Sequence, residues 1–197
     1  MNRRFVSTLA LVVPLLAGVF YEMSPVLGER IGKLTGSPEL DSLRPFAKDA
    51  RYALCFVPDG ASCQSLIIDA IDATQHSLRI QAYSFTSAPI AAALKRAQKR
   101  GVDVKVILDK SQLSQKYSSA TFLRNAGIEV VIDTKPAIAH NKVMIFDDRA
   151  VFTGSFNFTK SAQERNAENG ILIRGDAALV ESYARNWVAR YRVSTRY

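Results

Sequence analysis

The order of apolar and polar positions predicts strands and helices in turn from about Arg51 to the C-terminus. Short stretches with a period of two, or with continuous apolar residues, indicate strands. Longer stretches with apolar residues three and four positions apart, as at Leu66 and Ala70, indicate helices. The predicted strands are Tyr52–Val57, Leu78–Phe85, Val102–Leu108, Ile128–Ile132, Lys142–Phe146, Ala150–Thr153 and Glu168–Ile173. The predicted helices are Ser62–Thr74, Ala88–Arg100, Tyr117–Asn125 and Ala177–Tyr191.

The residues at the ends of these elements agree with the pattern. Ser62 is a favourable N-cap, Pro89 falls in the first turn of its helix, and Gly101 follows that helix. Strands that alternate with helices are typical of a layered α/β domain. The chain has 197 residues and no visible internal repeat, so we expect one such domain, residues 51–197. Residues 23–50 mix prolines, glycines and charges, which predicts a linker before it.

The N-terminal 22 residues differ in character from the rest. A basic start, Met1–Arg4, precedes residues 5–21, which are apolar apart from Ser7 and Thr8. This pattern predicts a secretory signal peptide. No clean small-residue cleavage site follows Phe20, so an uncleaved membrane anchor is the alternative. Both interpretations place the domain outside the cytoplasm: in the periplasm, secreted, or anchored to the outer side of the inner membrane.

The net charge narrows the class of partner. The formal charge is +8 at pH 7, and 48% of the residues are hydrophobic, as in a globular protein with a core. An excess of positive charge favours an anionic partner, either nucleic acid or anionic lipid. A basic protein without such a partner has the same composition, so the charge alone leaves this question open.

The two cysteines agree with export. Cys55 and Cys63 flank the turn signal Pro58-Asp59-Gly60, so the two thiols could face each other across a short loop. In an oxidising compartment they are candidates for a disulfide, and the alternative is two buried free thiols. The chain holds only two Cys and two His, all of which a four-ligand zinc site would need, so we expect no metal site.

The stretch from His140 to Asp147 carries the most informative chemistry. It has the form H-x-K-x-x-x-x-D and occurs once in the chain. A neutral imidazole can attack phosphorus, and an ammonium group can hold a phosphate oxygen. His140 and Lys142 are two positions apart, so on an extended strand their side chains would share a face. This pair predicts chemistry on a phosphate group.

Further residues carry a family resemblance. Gly154, Ser155 and Asn157 follow the first motif, and Glu168 comes shortly after. Together with the segments Ala82-Tyr83-Ser84-Phe85-Thr86-Ser87, Lys99-Arg100-Gly101-Val102-Asp103-Val104-Lys105-Val106 and Asn166-Ala167-Glu168-Asn169, this pattern resembles the phospholipase D superfamily. More narrowly, it resembles the short bacterial endonucleases with a single motif. The resemblance covers roughly residues 52–190 and implies a layered α-β-α sandwich with a mixed central sheet.

The resemblance also implies a role for each matching residue. His140 would be the nucleophile and form a phosphohistidine intermediate. Lys142, Asn157 and the hydroxyl of Ser155 would hold the phosphate group. Glu168 would accept a hydrogen bond from the second ring nitrogen of His140 and so orient the ring. No metal or other cofactor is implied, and activity is expected to survive a chelator.

Two residues of the motif are expected to be structural. Asp147 falls at a strand end, where a turn or ion-pair role is typical, and Gly154 is a residue without Cβ where the strand turns into the site. The leaving group needs a general acid, and His76 lies in no comparable context. We therefore expect a homodimer in which a second copy of His140 supplies the acid.

Three functions remain as hypotheses. The first is a phosphodiesterase that cleaves DNA, or RNA, with little sequence preference. The second is a phospholipase D-type enzyme that hydrolyses phospholipid head groups, with residues 5–21 at the membrane. The third is a non-catalytic nucleic-acid-binding component of an export or conjugation apparatus, which would not need a nucleophile. Candidate contacts to a nucleic-acid backbone are Lys95, Arg96, Lys99, Arg100, Lys110, Lys116, Arg124 and Lys160.

Overall fold

The structure is a computed structural model that describes residues 42–197, of which Ala47–Tyr197 form one compact unit. The predicted signal or anchor and most of the predicted linker lie outside the described residues. The strands are β1 Arg51–Val57, β2 Ser77–Ala82, β3 Asp103–Asp109, β4 Glu129–Asp133, β5 Lys142–Phe146, β6 Ala150–Gly154, β7 Glu168–Arg174 and β8 Thr195–Arg196. The helices are α1 Cys63–Ala73, α2 Ala88–Lys99, α3 Ala120–Asn125, α4 Lys160–Glu164 and α5 Ala177–Val193.

All eight strands form one mixed sheet in the order β1-β7-β6-β5-β2-β3-β4-β8. Strands β2, β3 and β4 run parallel to one another, and the other neighbours are antiparallel. The C-terminal ends of β2, β3 and β4 therefore lie at the same end of the sheet as the start of β5. We call this the Lys142 end, and we call the opposite end, where β5 finishes, the Phe146 end.

Helices cover both faces of the sheet. The larger core packs α1, α2 and α3 against one face and includes the fully buried side chains of Ile67, Leu94 and Leu123. On the other face α5 contributes Val180 and Trp187, and the indole nitrogen of Trp187 donates a hydrogen bond to the backbone oxygen of Ile80 at 3.0 Å. The predicted α-β-α sandwich with a mixed sheet is confirmed.

Local sequence explains where several elements begin and end. The side chain of Ser62 accepts a hydrogen bond from the backbone of Ser65 and caps α1, as predicted. Ser87 caps α2 in the same way, with proline in the first turn. The hairpin between β5 and β6 turns at Asp147 and Asp148, whose φ angles are 51° and 52°. Two consecutive residues with positive φ are what a tight two-residue hairpin requires.

Two boundaries differ from the prediction by three residues, and two short elements were not predicted. Helix α3 begins at Ala120 and not at Tyr117, because Tyr117 has a φ of 69° that no right-handed helix accommodates. Strand β2 ends at Ala82, three residues before the predicted end. The short elements α4 and β8 were not predicted, since five and two residues are too few to show a periodicity.

A disulfide joins Cys55 of β1 to Cys63 at the start of α1. Both cysteines are fully buried in the larger core. The bridge therefore ties the outermost strand on one side of the sheet to the helix that covers it.

Candidate active site

His140 and Lys142 meet at the Lys142 end of the sheet. The ammonium nitrogen of Lys142 lies 3.1 Å from Nδ1 and 3.0 Å from Nε2 of His140, and 3.1 Å from the backbone oxygen of the same residue. Lys142 is only 6% exposed, whereas His140 is exposed. An accessible imidazole thus lies against a nearly buried cation. Because one ammonium approaches both ring nitrogens, this contact does not by itself select a tautomer.

The aromatic ring of Tyr83 completes this group. Its centroid lies 4.5 Å from that of His140, and the Lys142 ammonium lies 5.2 Å from the same centroid. The backbone N–H of Tyr83 donates to the oxygen of Asn141 at 2.8 Å, which connects the end of β2 to the residue between the two motif side chains. No role was predicted for Tyr83 from the sequence. Its place just after a buried strand, beside the motif strand, is visible only once the strand order is known.

A buried carboxylate supports the approach to His140. Asp109, which is 2% exposed, accepts hydrogen bonds from the backbone of Ser111 at 2.8 Å and of Ala139 at 2.7 Å. Burial alone would raise the pKa of Asp109, but these backbone donors outweigh it and hold the pKa below its ordinary value. Asp109 therefore fixes the residue that precedes His140. No role was predicted for Asp109 from the sequence.

His140 is not on a strand, contrary to the prediction. Strand β5 begins at Lys142, and His140 belongs to the connection that enters it. The pairing of β5 with β2 ends at Lys142 and Ala82, and the backbone of Ala139 bonds instead to Asp109 at the end of β3. The two motif side chains still meet, since the Lys142 side chain turns back towards His140.

Ser155 and Glu168 form a second group at the same end. The hydroxyl of Ser155 donates to Glu168 Oε2 at 2.5 Å and accepts from the backbone N–H of Asn169 at 3.1 Å. The side chain of Asn166 donates to Glu168 Oε1 at 2.8 Å. Both carboxylate oxygens of Glu168 therefore have donors within the chain.

The pairing predicted between Glu168 and His140 stays a prediction. Glu168 begins β7, which is two strands away from β5. Within the described residues, its carboxylate accepts hydrogen bonds from Ser155 and Asn166. Ser155 and Asn157 do not share a strand face, because β6 ends at Gly154.

Gly154, the last residue of β6, is a position where only glycine fits. Its φ is +155°, and a Cβ at this position would lie 2.3 Å from the backbone oxygen of Asn169. A side chain therefore does not fit without displacing the backbone of β7. The absence of a side chain lets Ser155 and Phe156 both donate backbone N–H groups to that oxygen, at 3.1 and 3.3 Å.

The amide of Asn157 is incompletely satisfied. Its Oδ1 is buried and has no hydrogen-bond partner within the described residues, a condition it shares only with Gln98 Oε1. Buried polar atoms are nearly always hydrogen-bonded, so this unpaired acceptor is an exception at the candidate site. Only the amide nitrogen of Asn157 can donate to a phosphate oxygen, because Oδ1 is an acceptor.

The surroundings of Lys142 change its acidity. Burial lowers the pKa of Lys142 below its ordinary value, and the negative charge of Glu168 acts in the opposite direction. The two groups described above are therefore coupled electrostatically, although Glu168 does not contact the ammonium or the imidazole directly.

Asp147 lies at the Phe146 end, away from the other motif residues. Its carboxylate accepts three backbone hydrogen bonds, from Gln75 at 3.0 Å, His76 at 2.7 Å and Ser77 at 2.9 Å. This agrees with the structural role expected for Asp147, and it places His76 at the end of the sheet opposite His140.

The arrangement provides the parts of a phosphoryl-transfer site. It has an accessible imidazole, an ammonium for the phosphate oxygens, and an amide whose nitrogen can donate to the same oxygens. No three His, Cys, Asp or Glu side chains within residues 42–197 converge as ligands of a metal ion would. A mixed α/β sheet that carries this group at its end defines the class of the protein as a phosphodiesterase.

Comparison with known proteins gives the family. The model of the family described as cardiolipin synthase, PLD-like domain, matches residues 67–189. The chain belongs to this phospholipase D-like family and is a phosphodiesterase of the phospholipase D superfamily.

Individual relatives carry different names. A protein named phospholipase D from Rickettsia bellii is 49% identical over 141 residues, which cover 72% of this chain and 69% of the relative. Human mitochondrial cardiolipin hydrolase is 33% identical over 136 residues, 68% of this chain and 54% of that protein. Among solved structures, Nuc from Salmonella typhimurium, a phospholipase D family member, is 38% identical with a TM-score of 0.72. The match covers 76% of this chain and 99% of Nuc.

Proposed function

We propose that this protein is a non-specific endonuclease that cleaves DNA, and RNA as a second substrate. The observation that carries the proposal is the charge of the two loops beside His140 at the Lys142 end. Residues 110–119 and 134–141 contain Lys110, Lys116 and Lys135 and no Asp or Glu. A surface of this charge attracts a polyanion to the exposed imidazole.

Two carboxylates flank these loops but do not oppose a polyanion. Asp109 and Asp133, the last residues of β3 and β4, are 2% and 1% exposed. Asp133 forms an ion pair with Arg190 at 2.7 Å, and Asp109 is occupied by backbone donors. The charge that these two loops present to solvent is therefore positive.

The predicted backbone contacts divide between the two ends of the sheet. Lys110 and Lys116 lie in the loop after β3, at the Lys142 end. Arg96 and Arg100 lie at the C-terminal end of α2 and both form ion pairs with Asp72, at 2.6 and 3.6 Å. We therefore propose Lys110 and Lys116 as contacts to the phosphate backbone, and no longer expect Arg96 and Arg100 to contact it.

The proposed reaction has two steps. A ring nitrogen of His140 attacks phosphorus, the new P–N bond forms, and the P–O bond to the leaving strand breaks as that oxygen takes a proton from a general acid. Water then attacks phosphorus, gives its proton to the same group, and the P–N bond breaks. Lys142 and Asn157 hold the negatively charged oxygens in both steps.

The general acid in this proposal is His140 of a second copy of the chain. The part of the chain that the structure describes contains both histidines, and His76 lies at the Phe146 end, where it donates its backbone N–H to Asp147. A two-fold axis beside the Lys142 end would place two copies of His140 and Lys142 on one phosphate group. Ser155 and Glu168 would line the same shared site.

The deciding experiment compares two substrates in parallel. The full chain is incubated with supercoiled plasmid and with phospholipid vesicles, each with and without EDTA, and His140→Ala serves as the inactive control. We expect plasmid nicking that survives EDTA and is lost in the variant, with no release of head groups. Head-group release without nicking would instead establish the lipid enzyme.

Hydrolysis of phospholipid head groups is the second candidate, and a specific comparison favours it. Relatives from five Rickettsia species that are 48–50% identical to this chain are named phospholipase D. Exposed apolar side chains also lie beside the site: Leu113 is 59% exposed, and Ile138 is 56% exposed. The loops that carry them are nevertheless basic, which suits a polyanion better than an acyl chain.

We further propose that residues 5–21 direct the chain out of the cytoplasm, to the periplasm or the outer side of the inner membrane. The disulfide between Cys55 and Cys63 supports an oxidising compartment. No helix within residues 42–197 has the length and hydropathy that crossing a membrane requires. Cell fractionation, with the N-terminus of the mature chain determined by mass spectrometry, tests both the location and the cleavage.

A further inference from the structure

A cavity of about 810 Å³ lies at the Phe146 end of the sheet, away from His140. Part of its lining, which we call the floor, is apolar and includes Leu66 and Ala70 of α1 and Leu172 of β7. The proposed reaction uses none of its residues. The cavity is therefore a separate feature of the molecule with its own chemistry.

Three arginines line this cavity: Arg51, Arg149 and Arg174. Arg51 and Arg174 are directly opposite each other on the antiparallel strands β1 and β7, so their side chains share one face of the sheet. Arg174 is also opposite Ala150 of β6, which follows Arg149. Like charges directly opposite each other are destabilising unless an anion lies between them.

None of the three arginines has a carboxylate partner in the described part of the chain, whereas Arg79 and Arg190, for example, do. The cavity wall contains carboxylates as well. That of Asp147 is occupied by three backbone N–H groups, which leaves Asp69 and Asp148. Three guanidinium groups and two available carboxylates leave one positive charge in excess. This excess suits a ligand with a single negative charge better than a polyanion.

We infer that this cavity binds the phosphodiester group of an anionic phospholipid, at a site distinct from the catalytic one. Guanidinium groups hold phosphate oxygens with paired hydrogen bonds, and the apolar floor would contact the glycerol and the first carbons of an acyl chain. Nucleic acid has no aliphatic chain to match that floor. Arg51 opens the first strand of the described residues, C-terminal to the apolar residues 5–21, and the choice of a membrane lipid rests on the membrane location proposed for residues 5–21.

This site would orient the domain on the membrane. Strand β5 runs from Lys142 to Phe146, so the two ends of the sheet are separated by roughly 13 Å along this strand alone. A lipid held at the Phe146 end leaves His140 directed away from the bilayer. The enzyme would then be presented to substrates in the aqueous phase.

The test titrates the full chain, in a nonionic detergent, with dihexanoyl phosphatidylglycerol and follows the midpoint of thermal unfolding. The same titration uses dihexanoyl phosphatidylcholine and inorganic phosphate, to separate an anionic lipid from a phosphate group alone. The variant is Arg51→Ala/Arg174→Ala. The matched control is Arg192→Ala/Arg196→Ala, which removes the same charge from exposed positions outside the cavity.

We expect phosphatidylglycerol to raise the midpoint for the wild type and the control, and the apparent affinity to fall at least about tenfold in the cavity variant. Equal stabilisation by phosphatidylcholine or by phosphate, or no difference between variant and control, would overturn the inference. So would displacement of the lipid by a single-stranded oligonucleotide. Arg149→Ala provides a second variant that leaves the β1–β7 pair intact.

DNA cleavage without lipid is measured on the same preparations. We expect the cavity variant to cleave DNA as the wild type does. Absence of cleavage in the wild type would contradict the proposed endonuclease and leave the lipid titration unaffected, so the two proposals fail separately.

Discussion

At the scale of single residues, the site depends on a cation with little access to solvent. Lys142 is 6% exposed, and its ammonium lies within 3.1 Å of both ring nitrogens of His140. Such a group interacts strongly with a phosphate oxygen because water does not screen it. The same burial makes its charge sensitive to pH.

The first prediction concerns the alkaline limit of activity. Burial lowers the pKa of Lys142, so its charge is lost at a lower pH than in an exposed lysine. As the pH rises, kcat/KM should therefore fall with a midpoint below the ordinary lysine pKa of about 10.4. Glu168 acts to raise this pKa, so Glu168→Gln should move the alkaline limb to still lower pH. A pH profile of each protein measures the shift. An unchanged or higher alkaline limb in the variant would contradict the coupling.

The second prediction concerns Tyr83 as a positioning residue. Its ring contacts both His140 and Lys142. Tyr83→Leu removes the aromatic face, and we expect kcat to fall roughly tenfold to a hundredfold with little change in KM, since small misplacements of a nucleophile cost this much. Tyr83→Phe keeps the face and should retain most activity. Equal loss in both variants would mean that the hydroxyl, and not the ring, is required.

At the scale of elements, backbone hydrogen bonds to buried or half-buried carboxylates join parts of the chain that lie far apart in sequence. Asp109 joins the end of β3 to the loop before His140, across 30 positions. Asp147 joins the β5–β6 turn to the residues that lead into β2, across 70 to 72 positions. Each carboxylate stabilises a connection that the sheet hydrogen bonds do not reach.

The third prediction concerns the stability that Asp147 provides. Burial alone would raise its pKa, but the N–H groups of Ser77, Gln75 and His76 outweigh it and hold the pKa below the ordinary value. Asp147→Ala should therefore lower the free energy of unfolding by about 1–3 kcal/mol at pH 7.

The sign of the pH dependence follows from linkage. A carboxyl group with a depressed pKa in the folded state stabilises fully above its unfolded pKa, about 3.9, and loses this effect as the pH falls through the folded value. Urea unfolding at pH 7 and near pH 3 should therefore show a smaller difference between the two proteins at the lower pH. A constant difference would assign the effect to the turn backbone and not to the charge.

At the scale of the whole molecule, each chain brings one motif to one end of its sheet. The other histidine, His76, lies at the opposite end with Asp147. The two ends differ in chemistry as well: basic loops surround His140, and the arginine-lined cavity lies at the other end. A second copy of the chain is the proposed source of the general acid.

The fourth prediction tests this shared site by mixing chains. Wild type is allowed to exchange with an excess of His140→Ala, which should capture it in heterodimers with one nucleophile and no acid. Nicking activity per wild-type chain should then fall severalfold. His76→Ala in the same excess is the matched control and should cause no fall. Unchanged activity per wild-type chain in excess His140→Ala, under conditions where exchange is demonstrated, would show that one chain suffices.

Much of the fold was predictable because hydrophobic periodicity records which face of each element is buried. The period of two in β3 and the helical spacing in α1 and α2 gave elements within a residue or two of those observed. Boundaries failed where a single backbone angle decided them, as at Tyr117. The contact between His140 and Lys142 was predicted from a shared strand face, but it forms in another way: His140 precedes β5, and the Lys142 side chain turns back to it.

The sequence by itself determined the order of the elements, the family and the motif residues, because all of these depend on local pattern and spacing. Only the tertiary structure decided which residues meet across the sheet: Tyr83 beside His140, Asp109 at the residue before His140, Ser155 as a partner of Glu168, and three arginines around one cavity. The strand order places β1 beside β7 and β2 beside β5, although the strands of each pair are distant in the chain. No periodicity within a single strand specifies which strand lies beside it.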